Sequence, residues 1–445
     1  MNMADIVQIR DKSLDHLRVV FGGSADTVIA QERYGFISGL LKDVLKKPKE
    51  EVVTLSDKVD RVLCHRVWGI PIFLGIMYGI FRFIFDASAP LMDLIDAGFG
   101  SLAEQAATVG GWQGSLLSEG IIGGVGSVLI FVPPIFFLFI AISLLEDCGY
   151  MARAAFVMDK AMHKIGLHGR SFIPMILGFG CTIPAIMACR TIENRGDRMA
   201  TMLAVPFMSC GARLPIYVLI GGAFFTAHAG LVTFGMYLIG IGIAIFTAWL
   251  LRKKLFKGES GHFVMELPPY RVPTFKGVVT HMWERGRLFL KRAGTIIFAV
   301  VVIVWVLASL PWGVEYASQA SALGQVGNAV APIFSPLGFG QWQAAASLVF
   351  GFLAKEVVVG SMGAIFAVGE GGLGGALTGV LGWTPLVAFS FMVFSLLYVP
   401  CVAAVGTIRS EAGAKWAWFS VLYTCAIAWV VSALIFNIGS VVIGT

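Results

Sequence analysis

Residues 416–443 contain no Asp, Glu, Lys or Arg, and residues 231–251 contain none either. A helix needs about 20 apolar residues to cross a bilayer, and a helix apolar on every side belongs in lipid or in a deep core. The whole chain fits that pattern: charged residues are 13% of its 445 positions and apolar residues 57%. A soluble domain carries about 25% charged residues, so this chain has too few charges to clothe a surface facing water. The expected fold class is an all-α polytopic membrane protein. Residues 1–18 are mixed in charge and have no apolar centre, unlike a cleaved signal peptide. The net charge of +6 is explained by basic residues on cytoplasmic loops, without invoking nucleic acid. The seven cysteines follow no disulfide-framework spacing and read as reduced thiols.

Charge placement divides the chain into four parts. Residues 1–66 hold eleven Lys/Arg and ten Asp/Glu and read as a cytosolic helical segment. Within it Ile29, Tyr34, Ile37, Leu41, Val44 and Leu45 recur at helical spacing, which predicts an amphipathic helix ending near Pro48. A second helix is expected from Ser56. Residues 67–251 form a first membrane half, 252–292 a basic cytoplasmic loop with ten Lys/Arg against three Glu, and 293–445 a second membrane half. In the first half, 67–85 reads as a span. Residues 86–120 carry five acids and no Lys or Arg, which predicts an external loop. Residues 121–145 return through Pro133-Pro134, and 146–170 read as cytoplasmic, with Arg153, Lys160, Lys164 and Arg170. The run 172–188 contains Pro174, Gly178, Gly180 and Pro184 and has basic residues at both ends. That predicts a re-entrant segment or a broken helix pair, which requires a protein or water-filled environment. Further spans are expected at 199–225, 231–251, 293–311, 344–368, 386–407 and 416–443, giving about eight to ten membrane segments in all.

Two short stretches recur. Leu144-Leu145-Glu146-Asp147 resembles Leu353-Ala354-Lys355-Glu356, and Cys181 with Arg190-Thr191-Ile192 resembles Cys401 with Thr407-Ile408-Arg409. Duplicated transporters place their site where the repeats meet.

The residues able to carry chemistry sit beside helix breakers. Cys181 lies in Gly178-Phe179-Gly180-Cys181-Thr182-Ile183-Pro184, Cys210 in Pro206-Phe207-Met208-Ser209-Cys210-Gly211, and Cys401 in Tyr398-Val399-Pro400-Cys401. A broken helix exposes backbone carbonyls and helix ends. A thiolate with such oxygens suits a borderline divalent cation such as Fe²⁺ or Zn²⁺, and Met208 adds a soft thioether beside Ser209. Any single cysteine is equally a small packing residue, the reading that fits Cys64, Cys189 and Cys425. Lys355, Glu356 and Arg213 lie in apolar runs and need partners or a cavity. Glu146 and Asp147 are either pathway residues or interfacial ones. Several enzyme signatures are absent from the sequence. No Lys follows a Gly, so there is no Walker A loop, and neither His-Glu-x-x-His nor Gly-x-Ser-x-Gly occurs. No catalytic set is visible.

The motifs at 144–159 (LLEDCGYMARAAFVMD), 166–198 (GLHGRSFIPMILGFGCTIPAIMACRTIENRGDR), 206–225, 352–360 (FLAKEVVVG) and 396–401 (LLYVPC) closely resemble the membrane domain of the ferrous iron transport protein B family, FeoB. The resemblance implies two pseudo-symmetric gate-type repeats and Fe²⁺ as the transported ion, with no permanently bound cofactor. It places Cys181, Cys210 and Cys401 at the family's proposed pore cysteines. Glu146, Asp147, Met208, Ser209 and Glu356 are carried as pathway residues. It implies an inner-membrane location with a cytoplasmic N-terminus and a small FeoA-type protein as partner; the G protein is expected on a separate subunit, the alternatives being a truncated product or a channel that works without nucleotide. Family members usually carry a G domain, whereas this chain has no GTP site; assembly into an oligomer is left open. Two other readings stand beside it: a gate-fold transporter of nucleosides or another small solute, and a non-transporting membrane scaffold.

Overall fold

The computed structural model describes residues 8–10, 12–16, 25–44, 55–65, 68–130, 132–256, 269–290, 302–303, 305–311, 314, 318–353, 355, 357–366 and 373–443. The chain divides into two compact units, Met1–Lys58 and Val59–Thr445. In the first, α1 (Ala25–Val44) forms where the sequence predicts a helix, but residues 32–42, with Tyr34, Phe36, Ile37, Leu40 and Leu41 among them, are exposed on every side, so the expected buried face is not seen. Its expected end near Pro48 lies outside the described residues. The next helix, α2 (Leu55–Leu63), starts within one residue of the expected position.

The second unit begins with a departure from the sequence reading. α3 (Gly69–Ala107) is one helix of 39 residues, so the acids expected on an external loop stand on a helix. The reason is a stripe that charge counting overlooks. Ile84, Ser88, Met92, Ile95, Phe99, Ala103 and Ala106 are buried or half-buried at three- and four-residue spacing, while Asp86, Asp93, Asp96 and Glu104 point away, exposed. Asp86 is bonded to Arg82 one turn earlier, at 3.2 Å. Against this stripe lies α4 (Gly123–Ile130), where a Cβ on Gly126 would meet the Phe99 side chain at 2.9 Å.

α5 (Val132–Asp147) tolerates Pro133 and Pro134 because both fall in its first turn, where no intrahelical N–H is required. α6 (Tyr150–Ile165) leaves it at 80°. Gly149 forms the corner with φ +83°, a left-handed conformation that any side chain would strain. Residues 146–170 are therefore mainly helix rather than loop. Arg153, read from sequence as a marker of the cytoplasmic side, is 1% exposed. It donates to both oxygens of Asp60 at 3.0 and 3.1 Å and to the Gly149 carbonyl, and it lies 4.1 Å from the Tyr270 ring centre. The Tyr270 hydroxyl donates to the same Asp60 at 2.7 Å. Burial, reinforced by the Asp60 charge, pushes the Tyr270 hydroxyl and the Cys64 thiol above their ordinary values.

The chain continues as α7 (Phe172–Gly180), α8 (Thr182–Ala188), α9 (Arg195–Ala204), α10 (Leu214–Phe224), α11 (Ala229–Lys254) and α12 (Phe275–Phe289). α11 turns Met236, Gly240, Ala244, Ala248 and Leu251 to the core and leaves Leu231, Phe234, Leu238 and Phe246 exposed. At its end Arg252 pairs with fully buried Asp197 at 2.9 Å and donates to the Gly166 carbonyl. The second half supplies α13 (Ala322–Phe334), α14 (Trp342–Leu353), α15 (Val357–Phe366), α16 (Leu373–Gly379), α17 (Pro385–Leu397), α18 (Val402–Ala412) and α19 (Ala414–Ile443). Phe334, Phe339, Phe391, Phe394 and Tyr398 pack ring against ring through its core.

No strand occurs among the described residues. Among them five helical runs are long and apolar enough to cross a membrane, namely α3, α11, α19 and the broken runs α9–α10 and α17–α18, or six if the bent α5–α6 pair counts as one span. The other expected segments are the broken pair at 172–188, the 12-residue α14, and residues 291–301, which lie outside the described residues. α19 keeps Trp418, Leu422, Val430, Leu434 and Ile438 exposed on one stripe. A soluble surface avoids such a contiguous apolar strip, whereas lipid requires one. The chain is a multi-pass membrane protein.

Candidate functional site

Each of the three cysteines singled out by sequence stands at a helix break. Cys181 is extended (φ −151°, ψ 133°) between α7 and α8. Cys210 is extended (φ −77°, ψ 163°) between the turns Val205–Phe207 and Gly211–Arg213, the second of which opens α10. Cys401 (φ −56°, ψ 153°) sits between α17 and α18. In each case the thiol residue is the N-cap of the next helical segment. A helix N-terminus carries partial positive charge and unsatisfied N–H groups.

The breaks are brought together by close backbone approach. α8 and α18 pack against each other, and their far ends are joined by the Arg190–Glu411 ion pair. Helices packed side by side and tied at their C-terminal ends have their N-caps toward the other end, so Cys181 and Cys401 lie on the same end of the pair. The third break joins them through glycines. A Cβ on Gly211 would stand 3.8 Å from the Gly180 carbonyl, and one on Gly178 would meet the Met208 Cβ at 2.9 Å. Only hydrogen at 178 lets the Met208-Ser209-Cys210 segment lie this close to the chain leading into Cys181. All three thiols are partly exposed rather than sealed.

The groups freed by the breaks find internal partners. Arg213, 1% exposed, donates to the Met208 carbonyl at 2.9 Å and to the Pro206 carbonyl at 3.0 Å. Ser209 shares a 3.0 Å hydrogen bond with the Tyr217 hydroxyl, both buried. The Tyr423 hydroxyl donates to the Leu203 carbonyl. Met208 is 4% exposed and packs on Gly178, so its thioether is part of the wall between two breaks.

The remaining candidates separate. Glu146 and Asp147 end α5 at the 80° corner, with Glu146 exposed and Asp147 half-buried. They adjoin a small satellite core of Phe73, Met77, Tyr150 and Ala154. Glu356 lies outside the described residues. Among the described residues no three His, Cys, Asp or Glu side chains gather closely enough to hold one metal together. The three cysteines therefore do not form a single trithiolate cage. The arrangement offers thiols singly or in pairs beside open helix ends, suiting successive weak contacts to a passing cation.

Two residues at this place are less visible in sequence. Tyr398 leads into the Cys401 break, is buried, and carries the Lys355 ammonium nitrogen 3.0 Å from its ring centre. Cys425, read as packing, places its thiol within electrostatic reach of both Lys355 and Tyr398. It lies inside the uniformly apolar α19, where no breaker marks it.

The family described as nucleoside recognition, Gate, matches residues 128–224 and 290–415. The ferrous iron transport protein B C terminus matches residues 233–285. The Porphyromonas gingivalis Fe(2+) transport protein A/Fe(2+) transporter FeoB fusion protein is 42% identical, over 98% of this chain and 58% of its own length. The Staphylococcus aureus Fe(2+) transporter FeoB is 44% identical over 92% of this chain and 62% of its own length. The Campylobacter jejuni Fe(2+) transporter FeoB is 39% identical over 92% and 69% respectively. The chain thus spans 58–69% of the length of these relatives. No solved structure matches it.

Proposed function

The chain belongs to the Fe(2+) transporter FeoB family, and from that premise we propose that it is a ferrous iron permease of the cytoplasmic membrane with its N-terminus inside the cell. One observation carries the reading: thiol-bearing helix breaks at Cys181 and Cys210 approach each other closely, and Cys401 caps the helix packed beside the one that Cys181 caps, inside a bundle with an apolar exterior. Fe²⁺ is the cargo. It loses part of its water shell to helix-end carbonyls and passes between thiols that bind it strongly enough to strip water and weakly enough to let it go. Glu146 and Asp147 at the α5–α6 corner, together with Glu356, attract the ion toward the pathway.

The work done here is transport rather than bond chemistry. Nucleotide hydrolysis is assigned to a G domain or G-protein subunit outside residues 1–445, which contain no Walker A loop. A small protein of the FeoA type is a second partner, as the name of the Porphyromonas gingivalis fusion protein suggests. Residues 1–66 and the basic segment 252–292 are the surfaces assigned to them.

The test is ⁵⁵Fe²⁺ uptake by cells lacking other ferrous importers. Cys181→Ser and Cys401→Ser should each lower uptake several-fold at unchanged protein level in the membrane. Normal uptake by both variants would exclude the thiol pathway. Excess uridine should leave uptake untouched, and competition by uridine would favour a nucleoside carrier instead.

A further inference from the structure

Three helix ends meet around a cavity of about 330 Å³: the start of α9, the end of α11 and the start of α19. One wall is apolar, formed by buried Met199 and by the Phe256 and Trp416 rings, whose centres are 5.2 Å apart. The other carries Asn194, Arg195 and Arg252. The positive charge there is not balanced. Arg252 is already engaged, by Asp197 at 2.9 Å and by the Phe256 carbonyl, also at 2.9 Å. The α9 N–H groups of Gly196 and Asp197 are taken by the Asn194 side chain, so no open helix end is on offer. Arg195 is what remains. It is exposed and joins no hydrogen bond or ion pair among the described residues. Its sign is also wrong for its place, because a helix N-terminus carries partial positive charge and favours acids. The acid in the first turn of α9, Asp197, is held by Arg252. α19 starts in the same way, with exposed Lys415 beside Trp416 and no acid in its first turn. Two helices thus begin here with a cation, and an anion in the cavity relieves both.

The cavity lies at the level of lipid headgroups. α11 and α19 are two of the membrane spans and expose apolar side chains along their lengths. The cavity is at the end of one and the start of the other. Aromatic and basic residues gather at this level: Trp249 and Trp418 are exposed, and the Lys253 ammonium nitrogen is 4.9 Å from the Trp249 ring centre. That is the composition of a membrane–water interface, and basic pockets between spanning helices hold anionic headgroups there. A bare phosphate would leave the Phe256–Trp416 wall unused, whereas the glycerol end of a lipid covers it. We propose that this cavity binds the phosphate of an anionic phospholipid, with Arg195 on the phosphate oxygens and the glycerol end against Phe256 and Trp416. Asn194 and Trp416 follow Arg190 and Glu411 by four and five residues, so the lipid sits near the tied ends of α8 and α18. The site stands apart from what the chain transports.

The test is native mass spectrometry of the purified full chain released from detergent micelles and titrated with phosphatidylglycerol, with phosphatidylcholine as the zwitterionic control. The first phosphatidylglycerol should bind several-fold more tightly than phosphatidylcholine. Arg195→Gln should weaken it about fivefold, and Arg195→Glu by more than about tenfold. Lys276→Glu, a reversal of charge at an exposed lysine that does not line the cavity, should leave it unchanged. Equal affinity for the two lipids would overturn the site. So would wild-type binding by both Arg195 variants, or a loss in Lys276→Glu as large as that in Arg195→Glu. Displacement of the lipid by a large excess of inorganic phosphate would make this a site for free phosphate and overturn the lipid assignment. The readout uses no iron, so its failure leaves the transport reading untouched.

Discussion

Arg213 shows how one side chain holds a broken helix open. A helix interrupted inside a membrane leaves carbonyls with no N–H to meet them, and no water is at hand to replace it. The guanidinium reaches two of these, Pro206 and Met208, from a fully buried position. Its planar fork is suited to this, since one group serves two acceptors at fixed angles. Arg213→Ala leaves both carbonyls unmet, at about 1–3 kcal/mol each, and frees the segment carrying Cys210. The purified variant should melt several degrees below the wild type, and Arg213→Lys should recover only part of the loss. Melting indistinguishable from wild type would show that the carbonyls have other partners. From sequence, an arginine within an apolar run signals a need for partners. Which carbonyls it meets is not legible there, because that depends on how the chain turns back between residues 206 and 213.

At the scale of elements, the pair α8 and α18 forms the frame of the site. Each starts at a thiol, and their far ends are bound by Arg190 and Glu411. The carboxylate is 8% exposed and the guanidinium 57%, so solvent screens the pair in part. Breaking it should cost about 1 kcal/mol or less in stability. Its geometric role is larger, because it fixes the two helices relative to each other at one end and so sets the separation of Cys181 and Cys401 at the other. Glu411→Arg should lower ⁵⁵Fe²⁺ uptake, and Arg190→Glu/Glu411→Arg should restore much of it. Failure of the double reversal, with both proteins expressed, would mean that the ion pair does not frame the site. The breaks themselves are legible in sequence, since Gly178, Gly180, Pro184, Pro206 and Pro400 interrupt apolar runs where a helix would otherwise continue. α3 departs from its sequence reading for the opposite reason. Its acids resemble a loop when charges are counted, but they share a helix with the stripe from Ile84 to Ala106, and that stripe shows only when burial is known.

Across the molecule, pattern cannot reveal the contacts between distant parts of the chain. In sequence Arg153 reads as one of several basic residues marking a cytoplasmic loop. Its partners Asp60 and Tyr270 stand 93 and more than a hundred residues away, and no periodicity connects them. Together they tie the segment entering the membrane, the α5–α6 corner and the basic segment 252–292 into one clasp. Arg153 also donates to Gly149, the hinge of that corner, at 3.0 Å. Movement imposed on α2 would therefore act directly on the bend that presents Glu146 and Asp147. The clasp is an asymmetric ion pair, with Arg153 1% and Asp60 19% exposed. Removing only the acid strands a buried guanidinium, which costs about 3–5 kcal/mol where a pair is truly buried. Asp60→Ala should thus lower the melting temperature strongly. Arg153→Met should lower it less, because a carboxylate at the edge can rehydrate. The double variant should be more stable than the sum of the two losses predicts, the sign of direct coupling. Tyr270→Phe removes one hydrogen bond to Asp60 and keeps the ring against Arg153, so its loss should be the smallest of the series. Additive losses for Asp60→Ala and Arg153→Met would show that the two do not act as a unit, and the clasp could not then carry movement from α2 to the corner.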